Sequence, residues 1–299
     1  MLETHFPTLI AVLALAACWT LEALLPAVPA HGRRGAARLR HIALGLLNVA
    51  PAVALAGVLG VFDAMANASD IGVLRAIELP IWAHLIIAFL LLDALQYFCH
   101  VLMHKTPILW RLHAVHHHAE DLEATTALRF HTIEVMIHGL ITLSAVLLLG
   151  VHVYDVAIYN AILLPVSLFH HSNIRIHPRL EPVLRWITVT PSMHRVHHSR
   201  WQPETDSNYA AVLSIWDRIF GTLTPQRQPE AINVGLDGFD ARHTQTFKGL
   251  LHTPFSDARA ELGQPAQPDS IPHHKTRPER ANGDRESTTG GHRRRHATA

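Results

Sequence analysis

Two short stretches carry the residues most suited to chemistry. "LHAVHHH" places His113, His116 and His117 at i, i+3 and i+4. "MHRVHHS" repeats that spacing with His194, His197 and His198. On a helix these offsets share one face, so each stretch aims three imidazoles from one short element. His100 and His104 form a further i, i+4 pair. The chain holds 25 histidines in 299 residues, and fifteen of them lie between His100 and His198. A single histidine near a membrane end is ordinarily an interfacial residue, and His5, His41, His84, His138 and His152 fall under that default. The clusters do not. Burying eight polar rings without partners would cost a few kcal/mol each, and metal ligation removes that cost.

Imidazole suits Zn, Cu, Fe and Ni. Eight histidines exceed one coordination shell, so two ions are expected. Because ligating imidazole is neutral, two divalent ions leave about four positive charges. Carboxylates that accept the outer ring N–H groups would offset them. Asp93, two turns before His100, is the first candidate, since an ionisable residue inside an apolar helix is costly and usually functional. Glu134 and Asp206 are the others. The two cysteines sit in apolar runs and suggest neither a disulfide framework nor a thiolate site.

The elements that must position these residues read as membrane helices. Hydrophobic residues make up 49% of the chain and charged residues 16%, which is apolar for a soluble protein. The near-balance of charge points to no nucleic-acid partner. Residues 7–30, 41–62 and 79–98 are each long enough to span, and Pro51 is a candidate kink. The basic-poor start "MLETHF" favours a retained span over a signal peptide. Residues 135–150 and 156–169 are short for spanning and read as a tight hairpin, deeply inserted or just spanning. Thr106-Pro107 and Thr190-Pro191 each place a capping residue before proline at the first helical position. The four arginines in 31–41, against one basic residue in 63–78, put the former loop in the cytoplasm. Both histidine stretches then fall on the cytoplasmic face, with the C-terminus. From Gln264 the chain is polar and reads as a disordered tail. The organisation expected is an N-terminal pair of spans (1–78), a catalytic region (79–223), a cytosolic segment (224–263) and the tail (264–299).

Several motifs, in order, resemble those of the membrane fatty acid hydroxylase / sterol desaturase superfamily. "HVLMH", "HAVHH" and "HRVHH" are similar to its three histidine boxes. "DALQYFCHVLMH" (93–104) resembles its Asp-x-x-x-Tyr-x-x-His entry. "RFHTIE" (129–134) resembles Arg-x-His-Pro-x-Glu, with Thr132 for proline. "FHHSNI" (169–174) resembles Phe-x-His-x-Asn and puts His171, not His170, in the family position. "TDSNYA" and "WDRIFGT" (205–210, 216–222) resemble its later loops, with Ala210 for glycine. The resemblance covers about 79–223.

It implies an all-α integral membrane protein, about four transmembrane helices under a cytosolic helical cap in the inner or cell membrane. Two irons, or zinc as a substitute, would be held by His100, His104, His113, His116, His117, His171, His194, His197 and His198. It further implies roles near the chemistry for Asp93, His131, Glu134, Asn173, Asp206 and Asn208. His131 is expected in the outer shell or substrate channel. The activity implied is O2-dependent hydroxylation or desaturation of a lipid C–H bond. No Gly-x-Gly-x-x-Gly follows a strand, so electrons are expected from a separate ferredoxin- or cytochrome-like donor. The competing readings are a metal transporter or buffer, with ligands at the bilayer midplane, and a haem-binding electron carrier, with facing histidines mid-span.

Overall fold

The computed structural model describes residues 2–29, 34–224, 228–239 and 243–256, with side chains from residue 9 onward. The tail expected from Gln264 lies outside the described residues. Among those residues the regular structure is helical, with only isolated bridges such as Pro26 to Ile174. Four segments are long and apolar enough to cross a membrane. They are α2–α3 (Arg34–Leu47 and Val49–Ala68), α4 (Ile81–Lys105), α6 (Thr132–Ser144, extended by a π turn to Leu149) and α7 (Val153–His171). Only 17–28% of each span's most apolar window is buried in the protein. The rest, including Leu46, Val53, Ile81, Ile86 and Leu140, is exposed along the stem and calls for a hydrocarbon solvent.

Three expectations are sharpened or changed. The segments read as short, deeply inserted or just spanning, are helices of 18 and 19 residues, long enough to span. Their polar ends, Thr132–Glu134 and His170–His171, are helical although the apolar runs stop short of them. The stem's kink falls at Asn48 rather than at Pro51. Proline's ring crowds the carbonyl four residues upstream, so the break precedes it. Asn48 uses the break: its amide donates to the Phe130 carbonyl at 2.9 Å and accepts from Thr132 at 2.7 Å, tying α3 to the start of α6. Finally, α1 (Leu2–Leu24) stops before Pro26, and its described stretch Leu9–Leu24 is shorter than the four spans.

Both α4 and α7 run toward the same end of the stem and carry histidines in their last turns. There the cap adds α5 (Pro107–His117), a 3₁₀ turn at Ala124–Leu128, α8 (Glu181–Ile187) and α9 (Pro191–His197). Thr190 caps α9, its hydroxyl accepting from Met193 N–H at 3.4 Å. Thr106 occupies the equivalent position on α5 without a side-chain cap bond. At the far end, Gly150 takes a left-handed φ of 76° against the Gly72 backbone and closes the turn between α6 and α7.

Asp93 joins stem to cap. Its carboxylate accepts from Tyr159 Oη on α7 (2.9 Å), from the backbone N–H of Val212 (3.2 Å) and Leu213 (3.0 Å), and from Trp216 Nε1 (2.8 Å). None of these partners is an imidazole, so the expected support of a metal ligand is not what the side chain does. Asp93→Ala leaves buried donors unpaired at about 1–3 kcal/mol each. The expected outcome is a Tm in detergent lowered by roughly ten degrees, with metal content per folded chain retained. Metal loss without loss of Tm would show that Asp93 serves the ligands after all.

Candidate metal centre

Nine histidines form two clusters, each with its ligand atoms within 4.8 Å of one another. The first holds His100, His104, His113, His117 and His197; the second holds His116, His171, His194 and His198. All nine are residues that the sequence singles out. Their division between the clusters is not evident from spacing. On α5, the i, i+4 pair His113 and His117 faces the first cluster and the i+3 residue His116 the second. On α9 and its C-cap the sense is exchanged: His194 and His198 face the second and His197 the first. A shared helix face is wide enough to serve two neighbouring sites.

The outer ring nitrogens are tethered. His100 Nδ1 donates to the Tyr209 carbonyl and His197 Nδ1 to the Ser207 carbonyl, both at 2.7 Å. His171 Nδ1 donates to the Ser167 carbonyl at 2.7 Å and His113 Nδ1 to Glu134 at 2.6 Å. A neutral imidazole that donates from Nδ1 presents a bare lone pair at Nε2. The inward nitrogens of His100 and His113 then face each other at 3.1 Å, as do those of His171 and His116 at 2.9 Å. His194 stands 2.9 Å from His171 and 3.1 Å from His198.

Where both partners are so tethered, as in His100 and His113, opposed lone pairs need a proton or a metal ion between them. Protonation of the neighbouring rings is disfavoured. Burial, reinforced by neighbouring imidazoles, holds His116, His117, His194 and His198 well below the usual 6.5. Burial pushes His197 down to about 3 despite its bond to Ser207. Both nitrogens of His104 and of His117 have no hydrogen-bond partner among the described residues. The donor set therefore fits two metal ions.

Carboxylates contribute less to the outer shell than expected. Glu134 serves His113, and its second oxygen is buried without a partner. Asp206 lies 3.4 Å from His104 Nδ1 and pairs with Lys105 at 2.9 Å. The other tethers are backbone carbonyls. His131 is in neither cluster: it caps α6, accepting from Ile133 N–H at 3.2 Å, and bonds the Leu251 backbone. Asn173 bridges Arg195 of α9 (3.0 Å) to the chain after α1 through Val28 (3.1 Å). Asn208, at a left-handed φ of 52°, donates to the Met193 carbonyl at 3.2 Å. All three position helices rather than face the ligand nitrogens. His170 lies outside both clusters.

Two positioning residues and one further buried histidine escaped the sequence reading. Arg129, buried and held down to about 9 by that burial, clamps the end of α5 by donating to the Val115 carbonyl at 2.7 Å. Asp217 receives the Tyr209 and Ala210 N–H groups at 2.8 and 3.1 Å, and so fixes the loop whose carbonyl holds His100. His118 is buried with both nitrogens unpartnered among the described residues, yet joins neither cluster. Arg129 and Asp217 lie in the family-like motifs. His118 carries no sequence mark that separates it from His116 and His117.

Alanine variants separate ligand from neighbour. His113→Ala and His197→Ala should each weaken metal retention by more than about tenfold, since even outer-shell losses cost 10–100-fold. His170→Ala and His118→Ala should keep the wild-type metal content. Elemental analysis of the purified proteins decides, and metal loss from His170→Ala equal to that from His197→Ala would break the assignment.

Residues 85–222 match the family model described as fatty acid hydroxylase. The alkylglycerol monooxygenase of Xenopus tropicalis is 37% identical over 157 residues, covering 52% of this chain and 34% of that protein. The ornithine lipid hydroxylase OlsE of Rhizobium tropici is 32% identical over 160 residues, 54% of this chain and 46% of that one. Human cholesterol 25-hydroxylase is 30% identical over 160 residues, 52% and 57% respectively. The chain thus spans about a third to a little over half of these relatives. No solved structure matches it. The matched stretch contains all nine clustered histidines, with α7 and most of α4, and it is similar to a fatty acid hydroxylase domain.

Proposed function

We propose that the protein is a membrane-bound oxidoreductase that uses two histidine-held irons and O2 to hydroxylate or desaturate a lipid C–H bond. The observation that carries this reading is the meeting of metal centre and apolar space. A cavity of about 430 Å³ lies between α4, α6 and α7, lined by Ala127, Phe130, Val135, Leu163 and Leu164. His100, His113, His116, His171 and His194, drawn from both clusters, form its inner wall. Iron bound there would supply the O2 chemistry that an unactivated C–H bond requires. The chain's own part is to tether each ring through its outer nitrogen, to exclude water with the apolar walls and to bring the lipid to the histidines. Five histidines would hold one ion and four the other. Electrons would come from a separate donor protein.

The competing readings lack such support. A transporter needs ligands near the midplane, whereas these cluster at the cap ends of α4 and α7. A haem carrier needs room for a porphyrin between two facing rings, whereas here five and four imidazoles are packed together.

The comparison that tests the function is lipid extracts of a host with and without the protein, grown under isotopically labelled O2. Hydroxylation gives a lipid with one labelled oxygen; desaturation gives one lacking two hydrogens and no label. Either change must vanish in His113→Ala, and no lipid change at all would sink the reading.

We also propose that the cap and C-terminal segment face the cytoplasm. Arg38 supports this, because it pairs with Glu123 at 2.9 Å and Glu22 at 3.1 Å at the same end of the stem as the histidines. Reporter fusions after Ala36, Glu120 and Glu230 should then all report cytoplasm and one at Asp70 the outside. Opposite sides for Glu120 and Glu230 would contradict both the topology and the shared centre.

A further inference from the structure

The cavity over the histidines is apolar except at a few points, and most of those are engaged. The Ser167 carbonyl holds His171. His138 contacts Cys99 Sγ at 3.5 Å and lies 3.9 Å from Glu134. His170 bonds the Ala211 backbone. Gln96 of α4 and Asn160 of α7 also line the cavity, and neither makes a hydrogen bond or ion pair with a described residue. Both sit on spans. Gln96 is half-buried and Asn160 exposed, so both carboxamides can offer a donor and an acceptor to a molecule in the cavity.

Their positions differ. Gln96 precedes His100 by one turn on the same face of α4, about 6 Å along the axis. Asn160 precedes His171 by three turns on α7, about 16 Å along the axis, and is exposed at the cavity rim. No Lys, Arg, Asp or Glu lines the cavity. A carboxamide donates and accepts without carrying charge, so it matches a hydroxyl, ether, ester or amide oxygen. An ammonium group would find no counter-charge, and a carboxylate or phosphate would find one only at the metal ions themselves, not at the amides.

We infer that Gln96, with Asn160 at the rim, selects lipids bearing an uncharged hydrogen-bonding oxygen near the reacting carbon over plain hydrocarbon chains. This rests on the oxidoreductase reading and adds its substrate class. Gln96 is the inner station, beside the metal-binding wall, and Asn160 meets the oxygen on entry.

Binding without turnover tests it. Metal-loaded protein in detergent, under argon, is titrated with the monohexadecyl ether of glycerol and with hexadecane. Wild type should bind the ether preferentially. Gln96→Leu should weaken ether binding about tenfold, or about 1.4 kcal/mol, and Asn160→Leu by a smaller factor. Both should leave hexadecane binding within about twofold, and unchanged metal content is the check on folding. Equal loss for both probes, no loss in Gln96→Leu, or no preference in wild type would each overturn the inference. Labelled-oxygen turnover of the same two lipids separates this from the reading beneath it. Amide-dependent binding with no oxidised lipid anywhere removes the enzyme reading alone. Oxidation at the same ether-to-hydrocarbon ratio in wild type and Gln96→Leu removes the amide selection alone.

Discussion

The structure depends on bare imidazole lone pairs held face to face inside protein. His100 and His113 stand 3.1 Å apart at Nε2, and each has its Nδ1 proton committed outward, to Tyr209 and Glu134. Without a cation between them this arrangement is repulsive, and burial opposes protonation of the surrounding rings as the way out. Holding it requires rigid supports that reach from the stem into the cap. Much of the polar chemistry elsewhere in the chain can be understood as that support.

The buried carboxylates show how the support is built. The family-like motifs are rich in Asp, Glu and Asn, and a reading by residue type assigns them to metal. In the structure most of them bind backbone or one another's helices. Asp93 fastens α4 to α7 and to the 212–216 loop. Asp217 stiffens the same loop from the other side, and Glu181 holds Thr190 and Ser192 at the start of α9. Glu22 reaches from α1 to the N–H groups of Ala124 and Asn173 at 2.8 and 2.9 Å. An acid with several N–H donors is well satisfied and geometrically demanding, which suits a joint better than a proton carrier. Glu134 differs, with one oxygen on His113 and the other free of partners among the described residues.

What could be read from the sequence follows the range of the interactions involved. Spacing within a helix is local, so the imidazole groups on α4, α5 and α9 and the proline starts of α5 and α9 were legible. Span ends were less so, because hydropathy stops where polar residues begin while hydrogen bonding carries the helix on, as at Thr132 and His171. Carbonyl tethers are hardest to foresee. The Ser167 carbonyl lies four residues before His171 on its own helix and could have been anticipated. The Tyr209 carbonyl reaches His100 across 109 positions and depends on a loop shaped by Asp217. Every residue has a carbonyl, so residue type gives no signal for that role.

The repeated His-x-x-His-His spacing is accounted for by the exchange between clusters. A helix that gave all three rings to one ion would leave the other to the remaining elements. Here α5 gives two rings to the first cluster and one to the second, while α9 with its C-cap gives one and two. Each short helix thereby spans both sites, and their separation is set by the fixed offset between i+3 and i+4 on two rigid turns rather than by a loop. Stem and cap are tied by the same ligands, since α4 supplies His100 and His104 to the first cluster and α7 supplies His171 to the second. Metal occupancy would therefore brace the junction that Asp93 and Asn173 already bridge.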